Sequence, residues 1–70
     1  GTLLLAPMPR MIVKYEKKVG DSVTKGDTVV ILEAMKMENA LPAPCDGVIK
    51  AIDFDSGDSI TKEAVLCVIG

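Results

Sequence analysis

The sequence contains no histidine and no tryptophan, and its only aromatic residues are Tyr15 and Phe54. Without histidine, the chain lacks the commonest general base of hydrolytic enzymes and one of the usual ligands of zinc. With two aromatic rings in all, it also lacks the stacking surface on which single-stranded nucleic acids bind. These absences argue against a hydrolase, a zinc centre and a nucleic-acid module.

Positive charge and long apolar runs are also scarce. The net charge is −2, whereas a nucleic-acid binder needs a basic face that displaces counterions from phosphates. No apolar run approaches the roughly 18 residues of a membrane span. At this size a chain buries only about 60% of the surface that it exposes when unfolded. We therefore predict one small domain over residues 1–70, cut from a longer polypeptide, with no nucleic-acid or membrane contact of its own.

The two cysteines lie in different surroundings. Cys45 is in a turn-like segment of proline, aspartate and glycine, and Cys67 is inside the apolar run of residues 65–69. The favoured interpretation is a reduced turn cysteine and a small buried hydrophobic residue, because a disulfide requires an oxidising compartment.

The sequence repeats itself with a shift of 37 residues. Residues 20–25 (GDSVTK) match residues 57–62 (GDSITK), and Ala-Pro at 6–7 matches Ala-Pro at 43–44. The apolar run at 29–32 falls on 66–69 in the same register, without a gap. One register for every match predicts two structurally similar halves.

Each half has the pattern of short strands and tight turns. β-prone segments at residues 11–13, 28–33, 38–41, 48–49 and 65–69 alternate with turns that contain Gly, Asp or Pro. Six Gly and four Pro in so short a chain leave little room for a helix. The pattern predicts an all-β fold, in which the two halves pack face to face about a pseudo-twofold axis as a flattened barrel or sandwich.

Between the halves lies the segment Ala34-Met35-Lys36-Met37, which we predict to form the tip of a hairpin. Because side chains alternate along an extended strand, Met35 and Met37 are expected to point one way and Lys36 the other, towards solvent. A lysine in a turn is usually only a solvated charge, and neighbouring methionines usually only pack. The sequence pattern alone therefore does not exclude that Lys36 is only solvated and that Met35 and Met37 only pack.

This tetrapeptide resembles the biotinylation motif of biotin carboxyl carrier domains, in which the lysine between two methionines is modified. The similarity continues at Pro7-Met8-Pro9, at the first Gly-Asp bend, at Glu33 and Glu38-Asn39 on either side of the motif, and at the start of the second half. It thus covers nearly the whole chain. It implies a barrel-sandwich hybrid of two quasi-symmetric four-stranded halves, with the modified lysine at a hairpin tip.

The resemblance implies a carrier with no catalytic residue and no metal site. It identifies Lys36 as the attachment point of covalent biotin, Met35 and Met37 as flanking recognition residues, and a biotin protein ligase as the modifying partner. The other implied partners are biotin carboxylase and carboxyltransferase, between which carboxyl groups are carried. For Glu33 and Glu38, charge-guided docking and a plain solvated role are equally favoured. The implied location is the cytoplasm, or the mitochondrial matrix in a eukaryote.

Two positions depart from the family pattern: Arg10 stands where relatives commonly have Gly, and Glu63 stands where the first half has Gly26. If either backbone requires a positive φ, a non-glycine residue there costs roughly 1–2 kcal/mol. The segment between Lys14 and Val19 is also too short for the protruding thumb of some acetyl-CoA carboxylase carriers. This favours the thumbless carriers of other biotin-dependent enzymes.

Two other functions remain as alternatives. A lipoyl carrier domain has a similar fold and also uses a hairpin lysine, but typically shows Asp-Lys-Ala where this chain has Met35-Lys36-Met37. An unmodified barrel-sandwich module, serving only a structural role, needs no lysine between methionines at all.

Overall fold

The computed structural model describes all 70 residues and consists of eight β-strands joined by turns. The strands are β1 Thr2–Leu5, β2 Arg10–Tyr15, β3 Ser22–Val23, β4 Thr28–Ala34, β5 Met37–Pro42, β6 Gly47–Ala51, β7 Ser59–Ile60 and β8 Val65–Ile69. No helix in it has the length and apolarity to cross a bilayer. The predicted all-β class is confirmed, and the five predicted strand segments lie within β2, β4, β5, β6 and β8. Strand β1 and the two-residue strands β3 and β7 are not among the predicted segments.

The strands form two antiparallel four-stranded sheets, in the orders β1-β8-β6-β3 and β5-β4-β2-β7. Each sheet therefore takes two strands from each half of the sequence. The expectation that each half forms one layer and packs on the other is wrong. The halves are interlocked because β1 and β3 pair with strands of the second half, while β5 and β7 pair with strands of the first.

The pseudo-twofold symmetry extends to individual residue pairs. A shift of 37 residues carries the β1–β8 pair Thr2 and Ile69 onto the β5–β4 pair Asn39 and Leu32. Turn hydrogen bonds repeat in the same way: Gly20 N–H donates to the Ile49 carbonyl at 2.9 Å, and Gly57 N–H donates to the Ile12 carbonyl at 2.7 Å. The sequence repeat is thus a repeat of backbone hydrogen bonding.

The core consists of 13 buried residues, all of them hydrophobic. Twelve of them form six pairs under the 37-residue shift, and Leu4 is the thirteenth. The pairs are Ala6 and Ala43, Ile12 and Ile49, Val23 and Ile60, Val29 and Leu66, Val30 and Cys67, and Leu32 and Ile69. Because both sheets contribute equivalent side chains, one symmetric core holds the sheets together.

The two cysteines are both free, and they occupy the predicted surroundings. Cys67 belongs to the core, with 1% of its surface exposed, and Cys45 is half-buried at its edge. Burial, and secondarily the neighbouring Cys45, raises the pKa of the Cys67 thiol. A buried thiol held in its neutral form is a packing residue rather than a nucleophile.

The two departures from the family pattern have different outcomes. Arg10 has no positive φ, so its backbone is not strained. Its counterpart Gly47 needs glycine for another reason: a Cβ there would lie 2.7 Å from Ile69 Cγ2 and 2.9 Å from the Gly70 carbonyl oxygen. Glu63, in contrast, has φ 67°, and its counterpart Gly26 has φ 96°. The predicted strain is therefore present at Glu63 and absent at Arg10.

Candidate functional site: the β4–β5 hairpin

The β4–β5 hairpin closes with a turn of two residues. Ala34 pairs with Met37, which leaves Met35 and Lys36 as the only unpaired residues between the strands. Both have positive φ, 53° at Met35 and 65° at Lys36. Two such residues in succession define a type I′ turn, whose twist matches that of the flanking strands.

Met35 and Lys36 are unusual residues for this turn. Type I′ turns favour Asn and Gly, because other residues lose roughly 1–2 kcal/mol each on entering the left-handed region. The six residue pairs of the β4–β5 ladder, together with the buried Leu32 below the turn, hold the backbone in this conformation. Strain that the surrounding structure maintains is typical of functional sites.

The turn also corrects the predicted directions of the side chains. Alternation applies to extended backbone, whereas Met35 and Lys36 are both left-handed and only Met37 belongs to a strand. Met37 shares a sheet face with Ala34 across the ladder. The extended backbone on which the predicted alternation of Met35, Lys36 and Met37 rested is therefore absent, while the hairpin tip and the exposure of Lys36 to solvent are confirmed.

The last three residues of the motif, Met35, Lys36 and Met37, project from the body of the protein. Lys36 is exposed, and 95% of the Met35 surface and 67% of the Met37 surface are accessible. The Lys36 amine takes part in no ion pair, since the only one within the chain joins Lys14 to Glu16. An exposed primary amine without an ion-pair partner is thus presented in the turn that closes the β4–β5 ladder.

Two carboxylates lie directly behind the turn. Glu33 and Glu38 are paired across β4 and β5, and Met11 of β2 pairs with Glu33 on its other side. Paired residues share a face of the sheet, so the two like charges lie opposite one another and destabilise the ladder slightly. Neither carboxylate forms an ion pair with Lys36, and the exposed amine is solvated by water instead.

The β1–β2 segment adds residues that the sequence pattern did not assign to the site. Arg10 begins β2 beside the end of β4, and its Nη2 donates to Met8 Sδ at 3.1 Å. Its Nε is buried without a hydrogen-bond partner. Met8 and Met11 are 46% and 39% exposed, so all four methionines of the chain are exposed and gather at this end. Methionine side chains are usually buried, so the exposure of all four is the signal that would have indicated Met8 and Met11 as site residues. That exposure is visible only in the tertiary structure.

Comparison with known proteins places this geometry among carrier domains. The family model described as "Biotin-requiring enzyme" matches residues 3–69. The chain is 44% identical, over 99% of its length, to the biotin-dependent acyl-coenzyme A carboxylase alpha3 subunit of Mycobacterium leprae, of which it spans 12%. It is 60% identical, over 60% of its length, to the biotin carboxyl carrier protein of acetyl-CoA carboxylase of Streptococcus pyogenes, of which it spans 25%.

Solved structures agree on the fold. The urea carboxylase of Kluyveromyces lactis superposes with a TM-score of 0.91 at 33% identity, over 99% of this chain and 6% of that one. The lipoyl domain of the 2-oxoglutarate dehydrogenase complex of Azotobacter vinelandii superposes with a TM-score of 0.86 over 96% of its own length. At 24% identity, the latter similarity concerns the fold alone.

Proposed function

This chain belongs to the biotin- and lipoyl-attachment family described as "Biotin-requiring enzyme", and on that premise we propose that Lys36 is the residue to which biotin is attached. The chain is the carrier part of a biotin-dependent carboxylase and is not itself catalytic. The observation that supports Lys36 most strongly is its position: an exposed, unpaired amine in a two-residue turn, between Met35 and Met37. No other lysine of the chain has a positive φ.

The residues at the tip fit this group. Biotin has one aliphatic carboxyl group, and Lys36 supplies the amine with which that carboxyl group forms an amide. A free carboxylate has no good leaving group for attack by an amine, so the acyl group has to arrive activated. We propose that a biotin protein ligase presents a biotinyl-adenylate: the lone pair of the neutral Lys36 Nζ attacks the acyl carbon, the bond between that carbon and the phosphate oxygen breaks with AMP as the leaving group, and Nζ loses an N–H proton as the amide forms. When attached, biotin supplies a ring nitrogen that accepts and gives up a carboxyl group.

The domain contributes position rather than bond-making. The β4–β5 ladder fixes the tip, and the attached side chain extends from it, so each delivery becomes effectively intramolecular. We propose biotin carboxylase and carboxyltransferase as the two partners between which Lys36 moves. The eight-stranded body behind the tip is expected to stay folded throughout, because none of the 13 core residues of the domain lies in the turn.

Met35 and Met37 are proposed to be contact residues for these partners. With 95% of its surface exposed, Met35 has almost no packing contacts to lose, so space-filling explains its presence poorly. Thioether side chains adapt to differently shaped surfaces, which suits a tip that docks with a ligase and two further sites. Met35→Ala is therefore expected to leave the unfolding free energy within about 0.5 kcal/mol of the original while weakening partner recognition.

The assignment is tested by replacing the amine while keeping the charge. Lys36→Arg and the control Lys25→Arg, at an exposed lysine in a different turn, are each co-expressed with a biotin protein ligase. Streptavidin detection and intact mass are expected to show biotin on the original chain and the control, and none on Lys36→Arg. Biotin retained on Lys36→Arg would remove the assignment, and a lipoyl mass increment would favour the lipoyl alternative.

The two free thiols, Cys45 and Cys67, suit a reducing compartment. The cytoplasm or the mitochondrial matrix accordingly remains our proposal for where the carrier works.

A further inference from the structure

A groove of about 360 Å³ lies between two loops of the body, away from the hairpin. One wall comes from residues 14–19, after β2, and the other from residues 52–56, after β6. Residues 15–19 and 52–56 are equivalent under the 37-residue shift. The pseudo-twofold axis of the fold therefore runs through the groove, where the two halves meet.

The floor of the groove is apolar and fixed. Tyr15, Ile52 and Phe54 are partly buried against the core, and the first and last of these are the only aromatic residues of the chain. The Tyr15 hydroxyl donates to the Leu66 carbonyl oxygen at 2.8 Å, which holds the ring in place. Val19 adds an aliphatic side chain of which 56% is exposed. An exposed apolar surface bounded by polar residues is typical of an interaction site.

The charges on the walls are uneven. Lys14, Lys17 and Lys18 line the first wall, whereas Asp55 lines the second, and Asp53 and Asp58 lie near enough to Tyr15 to help raise its pKa. Lys14 is paired with Glu16 at 3.1 Å, and neither Lys17 nor Lys18 takes part in an ion pair. The first wall alone thus concentrates three of the eight cationic residues of a chain whose net charge is −2, and an acidic ligand would lie along that wall.

We propose that this groove binds an acidic segment of a partner protein, with an apolar side chain of that segment lying on the floor between Val19 and Phe54. Carboxylates on the segment would pair with Lys17 and Lys18, the two cations that are free. Charge complementarity of this kind accelerates encounter and selects partners, and the apolar contact provides affinity. The proposal rests on the carrier function, since it assigns the groove to a component that works with the carrier.

The position of the groove leaves the tip accessible. Met11 pairs with Glu33 next to the turn, whereas Lys14 pairs with Ile31 further from it. Lys14 follows Met11 by three positions in β2, which corresponds to about 10 Å along a strand. An occupant of the groove therefore holds the body of the domain while Lys36 stays free to enter an active site.

Binding can be measured with a defined probe, a short peptide of alternating glutamate and leucine. Its titration into the isotope-labelled domain is expected to shift the amide resonances of residues 14–19 and 52–56 and to leave those of the hairpin unchanged. The double variant Lys17→Glu/Lys18→Glu is expected to abolish the shifts. Lys25→Glu/Lys62→Glu is the matched control, because it makes the same charge change at equivalent exposed positions outside the groove. Shifts located elsewhere, or shifts that persist in the groove variant, overturn the proposal.

The apolar part of the proposal has its own variant. Val19→Ser removes an exposed side chain and no charge, and it is expected to weaken peptide binding about tenfold, or ~1.4 kcal/mol. If the charge reversal abolishes binding and Val19→Ser has no effect, the attraction is unspecific and the proposed segment is wrong. Sedimentation that shows self-association through these loops would identify a second copy as the occupant and also overturn the proposal.

The functional consequence is measured with the biotinylated domain supplied in trans to its carboxylase and carboxyltransferase. Lys17→Glu/Lys18→Glu is expected to raise KM about tenfold at one of these enzymes at low ionic strength, with kcat unchanged. Unchanged KM at both overturns the proposal. Streptavidin detection on the same samples shows whether Lys36 is biotinylated, so a failure of the carrier assignment is recognised separately.

Discussion

The two halves of this molecule have the same backbone and differ where side chains carry function or strain. Strand pairing, turn hydrogen bonds and six pairs of core residues repeat under the 37-residue shift. One element has no counterpart: β4 and β5 are joined by the turn of Met35 and Lys36, whereas the equivalent strands β8 and β1 are paired without being joined. The proposed attachment site therefore lies where the symmetry of the fold ends.

The halves also differ in which of two equivalent backbone positions holds, or requires, a glycine. At one pair of positions the first half has Gly26 and the second has the strained Glu63, and at another the second half needs Gly47 while the first accommodates Arg10. Duplication thus preserved the hydrogen-bonding pattern, and local packing decided which half needs glycine. Each of the following substitutions tests that comparison.

The largest effect is expected in the core, at Ile12 and Ile49. Both are isoleucines at equivalent positions, 0% and 1% exposed. Replacing either with Ala should lower the unfolding free energy by about 3 kcal/mol, through lost burial and the cavity left behind. Chemical denaturation measures both, and Ile→Val at each position serves if an alanine variant does not fold. A difference between the two sites larger than about 1 kcal/mol would show that the halves are not energetically equivalent.

A smaller loss is expected at Gly47, where an added Cβ would meet both a side chain and backbone. Gly47→Ala should destabilise the domain by about 2 kcal/mol, since the Gly70 carbonyl oxygen cannot move without breaking its bond to Val48 N–H. Arg10→Ala, at the equivalent position, should change the stability by no more than about 0.5 kcal/mol. Equal losses at the two sites would contradict the asymmetry.

Glu63 should respond in the opposite direction. Glu63→Gly removes a left-handed non-glycine residue and is expected to raise the unfolding free energy by about 1 kcal/mol. Gly26→Ala, which introduces the same strain in the other half without a steric clash, is expected to lower it by about the same amount. Thermal melting of the two variants shows the sign of each change in stability. A lower melting temperature for Glu63→Gly would contradict the backbone strain assigned to Glu63.

An effect no larger than that at Glu63 is expected at neutral pH for Tyr15, whose counterpart in the second half is Ile52, and a further loss of stability is expected in alkali. Burial, followed by the charges of Cys67 and three nearby aspartates, raises the pKa of Tyr15 to about 12 from its usual value of 10.0. The folded state therefore favours the neutral phenol, so this contribution to stability is complete below about pH 10 and is lost as the pH rises through about 12.

Tyr15→Phe should abolish that alkaline loss and cost about 1 kcal/mol at neutral pH, through the lost bond to the Leu66 carbonyl oxygen. The chain has a single tyrosine, so ultraviolet difference absorbance follows its ionisation directly. Ionisation near pH 10, or an alkaline loss that persists in Tyr15→Phe, would contradict the assignment.

Much of the fold was predictable because its signals are local. Gly-Asp at 20–21 and at 57–58 predicts the bends, and the structure shows why: Asp21 and Asp58 each accept a hydrogen bond from the amide three residues earlier, at 3.0 and 2.9 Å. The strand at residues 65–69 was predicted with the observed bounds. The short strands β3 and β7 were missed because two residues are too few to show alternation.

The site was predictable in position and not in conformation. The motif and its place at the junction indicated Lys36, but extended geometry was assumed where the chain forms a type I′ turn. Met35 and Lys36 lack the glycine or asparagine that signals such a turn. The left-handed backbone is imposed by the register of β4 and β5, which no local pattern reveals.

By itself, then, the sequence determined the all-β class, the duplication and the lysine between methionines at the junction, because each depends on residue type and spacing along the chain. Only the tertiary structure decided that the halves interlock, that Glu63 is strained while Arg10 is not, and that two segments far apart in sequence form a groove with one basic wall and an apolar floor. These properties depend on which strands pair and which side chains meet across the core, and such long-range contacts leave little trace in local patterns.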